Sequence, residues 1–181
     1  MSKERKSIRL SNYDYSSAGV YFITICTENR IPFFGKIEHS KITYSEIGLI
    51  AHQYWLDIPY HFKHVKLDDF VIMPNHIHGI INLDYSKVGT RHGMALQSGN
   101  QNHLKKLNQF SRPVQNSVSV VMNQYKSSVK RWCNKNNLEN FKWQPRFYEH
   151  IVRNSASLDK IRDYIGSNLL NWDNDDLFIK Q

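Results

Sequence analysis

Two histidines stand two residues apart in VIMPNHIHGII, residues 71–81. On a strand, residues two apart point to the same side of the sheet. His76 and His78 therefore share one face, and Ile77 points to the other. Two imidazoles side by side can hold one divalent ion. Imidazole nitrogen suits late transition metals and Mn²⁺, and a catalytic site leaves positions open for substrate oxygens. The bland alternative is a pair of hydrogen-bonded surface histidines. A zinc finger is not the reading, because no CxxC or HxxxH accompanies the pair.

The elements that must position this pair follow from hydrophobic period. GVYFITICT (19–27) is β-branched and aromatic with period two, a strand. Residues 33–42 hold a second, shorter strand. SEIGLIAHQYWLDI (45–58) has an amphipathic stripe of Ile47, Ile50, Ala51, Tyr54 and Ile58, with Ser45 as N-cap and Pro59 as its stop. Residues 65–83 give one or two strands that include the histidines. Residues 86–115 change character: rich in Gly, Ser, Asn, Gln, Lys and Arg, they read as an insert and not a second domain. Residues 117–135 form a helix with Val118, Val121, Met122, Tyr125, Val129 and Trp132 on one face. WQPRFYEHIVR (143–153) reads as another strand, and 155–168 as a final helix with Leu158, Ile161 and Ile165 as its stripe. Helices separated by mostly antiparallel strands imply an α+β sandwich in one domain spanning 1–181, with helices mainly on one sheet face.

Composition narrows the partners. The 181 residues carry a net charge of +8, with ten Tyr, nine Phe and four Trp. A basic surface favours polyanions, nucleic acid first, and exposed rings offer stacking surfaces for unpaired bases. No stretch approaches the roughly 20 apolar residues of a membrane span. The basic N-terminus lacks the apolar core of a signal peptide, so a cytoplasmic protein is expected. Cys26 and Cys133 form no CxxC pair or disulfide framework and read as small hydrophobes.

Five blocks then carry a resemblance: DYSSAGVYFITICTENR with FFGKI, FVIMPNHIHGII, NQYKSSVKRW, WQPRFYEHIVRN and IRDYIGSN. In this order they resemble the single-tyrosine HUH transposases, the group of insertion-sequence and REP-associated tyrosine transposases. The likeness runs from about Asn12 to Trp172, leaving out the insert. It implies a ferredoxin-like or RRM-like sandwich with an antiparallel sheet. It also implies a nucleophilic tyrosine on the last helix, followed one turn later by a Gln or Asn that helps hold the metal. YIGSN supplies Tyr164 and Asn168, and residues four apart lie on one helix face. Where many relatives have proline after that Asn, this chain has Leu169, which would let the helix run on.

The resemblance further implies the chemistry. His76, His78 and Asn168 would hold one Mg²⁺ or Mn²⁺. Tyr164 would attack a scissile phosphate in single-stranded or hairpin DNA, leaving a 5′-phosphotyrosine that conserves the bond for rejoining. Lys126, Lys130, Arg131 and Arg146 are candidate phosphate contacts, and Glu149 and His150 candidate supports for the tyrosine. Tyr125 sits mid-stripe and reads as core; Tyr148 is the second candidate nucleophile. Relatives use the tyrosine within one chain or across a homodimer, and both stay open. The rival readings are a catalytically inactive single-strand-binding module of the same fold, and a metal phosphoesterase with water as nucleophile.

Overall fold

In a computed structural model of the chain, residues 17–86 and 116–178 are described. Nearly all of the 86–115 segment read as an insert, and the basic residues 1–16, lie outside them. The elements are β1 (Gly19–Cys26), β2 (Gly35–Glu38), β3 (Lys41–Tyr44), α1 (Glu46–Leu56), α2 (Ile58–His61), β4 (Val65–Ile72), β5 (His76–Leu83), α3 (Val118–Lys135), β6 (Tyr148–Val152) and α4 (Ser155–Ser167). Four strands make one antiparallel sheet in the order β4-β5-β1-β6. With α1 and α3 as crossovers, this is the βαββαβ arrangement of the ferredoxin-like sandwich, as expected. No helix among the described residues is long and apolar enough to cross a membrane.

The two faces of this sheet do different work. Tyr21, Ile23 and Ile25 of β1, and Ile77 and Ile81 of β5, are fully buried on the face covered by α1 and α3. Trp55 of α1 is the keystone there. It lies 5.2 Å from the ring of Tyr125 and 5.9 Å from that of Phe70. Its indole rests on Gly79, where any side chain would collide with it. Tyr125 is 3% exposed and donates its hydroxyl proton to Ala51 O at 2.9 Å, so it is core. The alternate residues of the same strands, Phe22, Thr24, Cys26, His76 and His78, point to the other face. That face is crossed by α4, which packs against β4 and β6.

Several local expectations shift. Residues 33–44 form a separate two-stranded hairpin, β2–β3, and do not join the main sheet. Ser45 caps α1 by accepting from Gly48 N. Pro59 does not end that helix; it sits in the first turn of α2, where its missing N–H costs nothing. Only Tyr148–Val152 of the 143–153 segment is strand, and the rest crosses the sheet end as a loop bridged at Thr27 and Trp143.

Gly79→Val should therefore cost about 1–3 kcal/mol through overpacking against the rigid Trp55 indole. Urea unfolding should show the lower midpoint with an unchanged slope.

Candidate active site

The β4–β5 connection delivers Asn75 and His76 into the interior, where both are nearly inaccessible. The Asn75 amide nitrogen donates to the carbonyls of Arg30 (3.1 Å) and Leu177 (2.8 Å). Its oxygen is then the atom facing His76 Nδ1 at 2.7 Å. An amide oxygen only accepts, so His76 carries its proton on Nδ1 and presents a bare lone pair at Nε2. That nitrogen is buried, has no hydrogen-bond partner, and lies 4.0 Å from Asp175 Oδ2.

His78 lies beside it, ring centroids 4.5 Å apart. Its Nδ1 is 2.8 Å from Thr24 Oγ1, its register partner on β1, and its Nε2 is 3.1 Å from the Tyr164 hydroxyl. Phe22 stacks on the His78 ring at 5.3 Å and meets the Tyr164 ring edge-on at 6.2 Å. The last helix thus brings Tyr164 to the histidines of its own chain. Asn168, one turn on, is 3% exposed, and its buried Oδ1 has no hydrogen-bond partner. Leu169 does not prolong α4. The helix ends at Ser167 with Asn168 as its C-cap, and turns follow at Asn168–Asn171.

The residues after those turns come back over the site. Asp175 is 4% exposed at its side chain and its Oδ1 accepts from Leu177 N at 2.6 Å. Ligand atoms of His76, His78 and Asp175 lie within 4.8 Å of one another. Burial drives His76 well below the usual histidine range, with His78 and Arg30 adding to it, and lowers His78 to about 4. Both imidazoles are neutral at physiological pH, the form that binds metal. Burial raises Tyr164, the Asn168 amide pulls it back, and the Asp175 and Asp176 carboxylates push it further up. Two neutral imidazoles, a buried carboxylate and an unpartnered amide oxygen fit a divalent cation.

The remaining sequence candidates divide. Arg146 lines a cleft of about 460 Å³ together with His78 and Tyr164, and so does Tyr148. Lys126 and Lys130 have another task. Lys126 Nζ donates to Gln144 O and Arg146 O, and Lys130 Nζ to Glu139 O and Phe141 O. They staple the 139–146 loop to α3, and burial lowers Lys126 to about 8. Arg131 lies on the far side of the sheet, in a cavity between α1, α2 and α3. Glu149 pairs across from Ile23 and so faces the helix layer, away from the histidines. His150 is exposed on the histidine side, across from Phe22. Sequence reasoning missed Asp175, Asn75, Thr24 and Arg30. Asn75 adjoins the histidine pair, and Asp175 lies in an acidic tail; nothing local marks Thr24 or Arg30.

No protein-family model matches the chain. Its fold matches that of one solved tyrosine transposase. The structure of a REP-associated tyrosine transposase bound to a REP hairpin aligns over 95% of this chain and 74% of its own, with a TM-score of 0.56 and 19% identity. A candidate transposase from Deinococcus radiodurans aligns over 92% of this chain and 97% of its own, with a TM-score of 0.43 and 12% identity. An uncharacterised protein of Haemophilus influenzae is 35% identical over 175 residues, 97% of this chain and 93% of that protein. The chain belongs to the same family as that Haemophilus protein.

The buried histidines make stability pH-dependent without metal. Their folded pKa values lie below the unfolded value near 6.5, so their contribution is full above about pH 6.5 and is lost as pH falls through the folded values, about 4 for His78 and well below the usual histidine range for His76. For His78 the loss is on the order of 3 kcal/mol. In EDTA, the stability difference between the wild type and a His76→Gln/His78→Gln double variant should shrink across that window in urea titrations.

Proposed function

We propose that the chain is a metal-dependent single-stranded DNA endonuclease and transposase. In this reading residues 1–181 form one nuclease domain that cleaves and rejoins DNA at hairpin-associated sites through a 5′-phosphotyrosine. The observation that carries the reading is the Tyr164 hydroxyl at 3.1 Å from His78 Nε2, at the mouth of an open cleft, above a buried ligand cluster. A 44% exposed tyrosine on such a site can meet a phosphate, whereas the core Tyr125 cannot.

Tyr164 Oη attacks phosphorus, the P–O3′ bond breaks, and the 3′-oxygen leaves as a hydroxyl. The phosphoryl group stays on Tyr164 through a phosphodiester to the 5′ side of the downstream strand, ready for the reverse attack. A tyrosine pKa near 10, raised further here, demands a proton acceptor. With His78 Nδ1 taken by Thr24 and its Nε2 given to the ion, the Asp175 carboxylate is the acceptor left at that hydroxyl, and the proton passes on to the leaving 3′-oxygen. His76, His78, Asp175 and Asn168 Oδ1 would hold the ion, and two imidazoles favour Mn²⁺ over the oxygen-seeking Mg²⁺. Bound there, a divalent cation supplies charge stabilisation for the scissile phosphate. Phe22 and Thr24 hold the His78 ring in place, and the Asn168 amide steadies the phenol oxygen.

The test is a denaturing gel with 3′-labelled hairpin oligonucleotides carrying single-stranded flanks. With Mn²⁺, a shifted protein–DNA band is expected, absent in EDTA and in Tyr164→Phe. Cleavage without a band would assign the nucleophile to water. Binding with neither would make the chain an inactive binding module. Asp175→Asn should weaken Mn²⁺ binding about 10-fold or more, read by calorimetry on the DNA-free protein, with little change in melting temperature.

A further inference from the structure

Two arginines border the cleft from turns that arginine does not favour. Arg30 has φ 56° and follows Asn29 at φ 53°; Arg146, on the facing loop, has φ 66°. Left-handed backbone suits Gly, Asn and Asp; for a long side chain it is strained. The strain is imposed from outside both turns. Arg30 O accepts from Asn75 Nδ2, and Arg146 O accepts from Lys126 Nζ. The two turns are also tied together by Glu28 N to Lys142 O and Gln144 N to Cys26 O, each at 2.9 Å. Choosing Arg at such positions makes sense for the side chain, not for the backbone.

Those side chains sit on a continuous depression. Arg30, Gln144 and Pro145 line the 460 Å³ cleft at Tyr164, and they also line a neighbouring one of about 530 Å³ with Glu28 and Asn29. Arg146 and the 43% exposed Tyr148 lie on the Tyr164 side. Arg146 makes no ion pair among the described residues, and Arg30 spends one N–H on the Asp176 carbonyl at 3.0 Å. Of the carboxylates nearby, Glu28 faces Lys142 at 3.8 Å and Asp175 faces His76, while the exposed Asp176 also lines the cleft beside Tyr164.

We infer that this depression is the track for a single DNA strand leaving the scissile phosphate, with Arg30 and Arg146 as its phosphate contacts and Tyr148 as a stacking ring for an unpaired base. The inference rests on the proposed function and adds its substrate path. Two cations on facing turns suit one extended backbone, and a ring beside them suits an unstacked base. The track lies on the histidine face, so the strand needs no contact with Arg131 behind the sheet.

The left-handed turns make the test unusually clean. Arg30→Asn and Arg146→Asn remove the charge while suiting the backbone better than arginine does. Their affinity for fluorescein-labelled oligothymidylate, measured by anisotropy in EDTA, should fall about tenfold each. The slope of log affinity against log salt should drop by roughly 0.7 per variant, the single-strand increment for one phosphate contact. Melting temperature should match or exceed that of the wild type, and Arg131→Gln should bind normally. Arg30→Gly and Arg146→Gly, which suit the same backbone, serve if an Asn variant folds poorly. Unchanged affinity and slope in these variants would overturn the track, while the Tyr164 adduct assay judges the chemistry separately. No binding of oligothymidylate by the wild type would also overturn it.

Discussion

The Asn75 carboxamide gives both its N–H bonds to the carbonyls of Arg30 and Leu177 and keeps only its oxygen for His76. Three parts of the site are set by that one group. The His76 tautomer follows from it, and with it the lone pair aimed at Asp175. The strained turn before Ile31 is anchored through the Arg30 carbonyl. The returning tail that carries Asp175 is anchored through the Leu177 carbonyl. The Asn75 backbone is itself fixed, since its carbonyl accepts from Thr27 N at 2.9 Å. A buried polar group so fully committed has no alternative orientation at comparable energy.

The sheet makes that arrangement possible by keeping its faces separate. Isoleucines and Trp55 fill one side, and the alternating residues hand two histidines, a threonine and a phenylalanine to the other. The helix that covers the second side does so thinly, with Ile165 its one buried residue among those described. Its placement is reinforced by a two-pronged contact: Arg162 Nε and Nη2 reach Asp68 at 3.1 and 2.6 Å, next to the register irregularity in β4. An ion pair this exposed adds little stability, on the order of 1 kcal/mol or less. Its fork geometry fixes direction instead, and direction is what brings the Tyr164 oxygen to His78.

What could be read from the sequence depended on whether the signal was local. The strand period placed His76 and His78 on one face and Ile77 on the other, and the helical stripe put Tyr125 in the core. Both follow from spacing alone. Tyr164 and Asn168 came from the resemblance, since a helical tyrosine beside an apolar stripe is ordinarily packing. Lys126 and Lys130 looked like phosphate contacts because helix-surface cations usually face solvent. Their partners are carbonyls 9 to 20 residues further on, invisible to any local pattern. Glu149 was misplaced by strand parity: once β6 pairs Tyr148 with Thr24, Glu149 must face the helices. Asp175 joins the site only because the chain turns back after Asn168.

The claim at the centre is that Tyr164 becomes covalently joined to DNA. It can be tested by locating the modification. After reaction with a hairpin oligonucleotide and Mn²⁺, nuclease trimming and trypsin digestion, mass spectrometry would survey the tyrosine peptides. Cleavage after Arg162 isolates DYIGSNLLNWDNDDLFIK, and cleavage after Arg146 isolates FYEHIVR, each with a single tyrosine. A nucleotide mass on the first peptide, at Tyr164, is the expected result. The same mass on Tyr148, or on neither peptide from a sample that has cut its DNA, would contradict the claim.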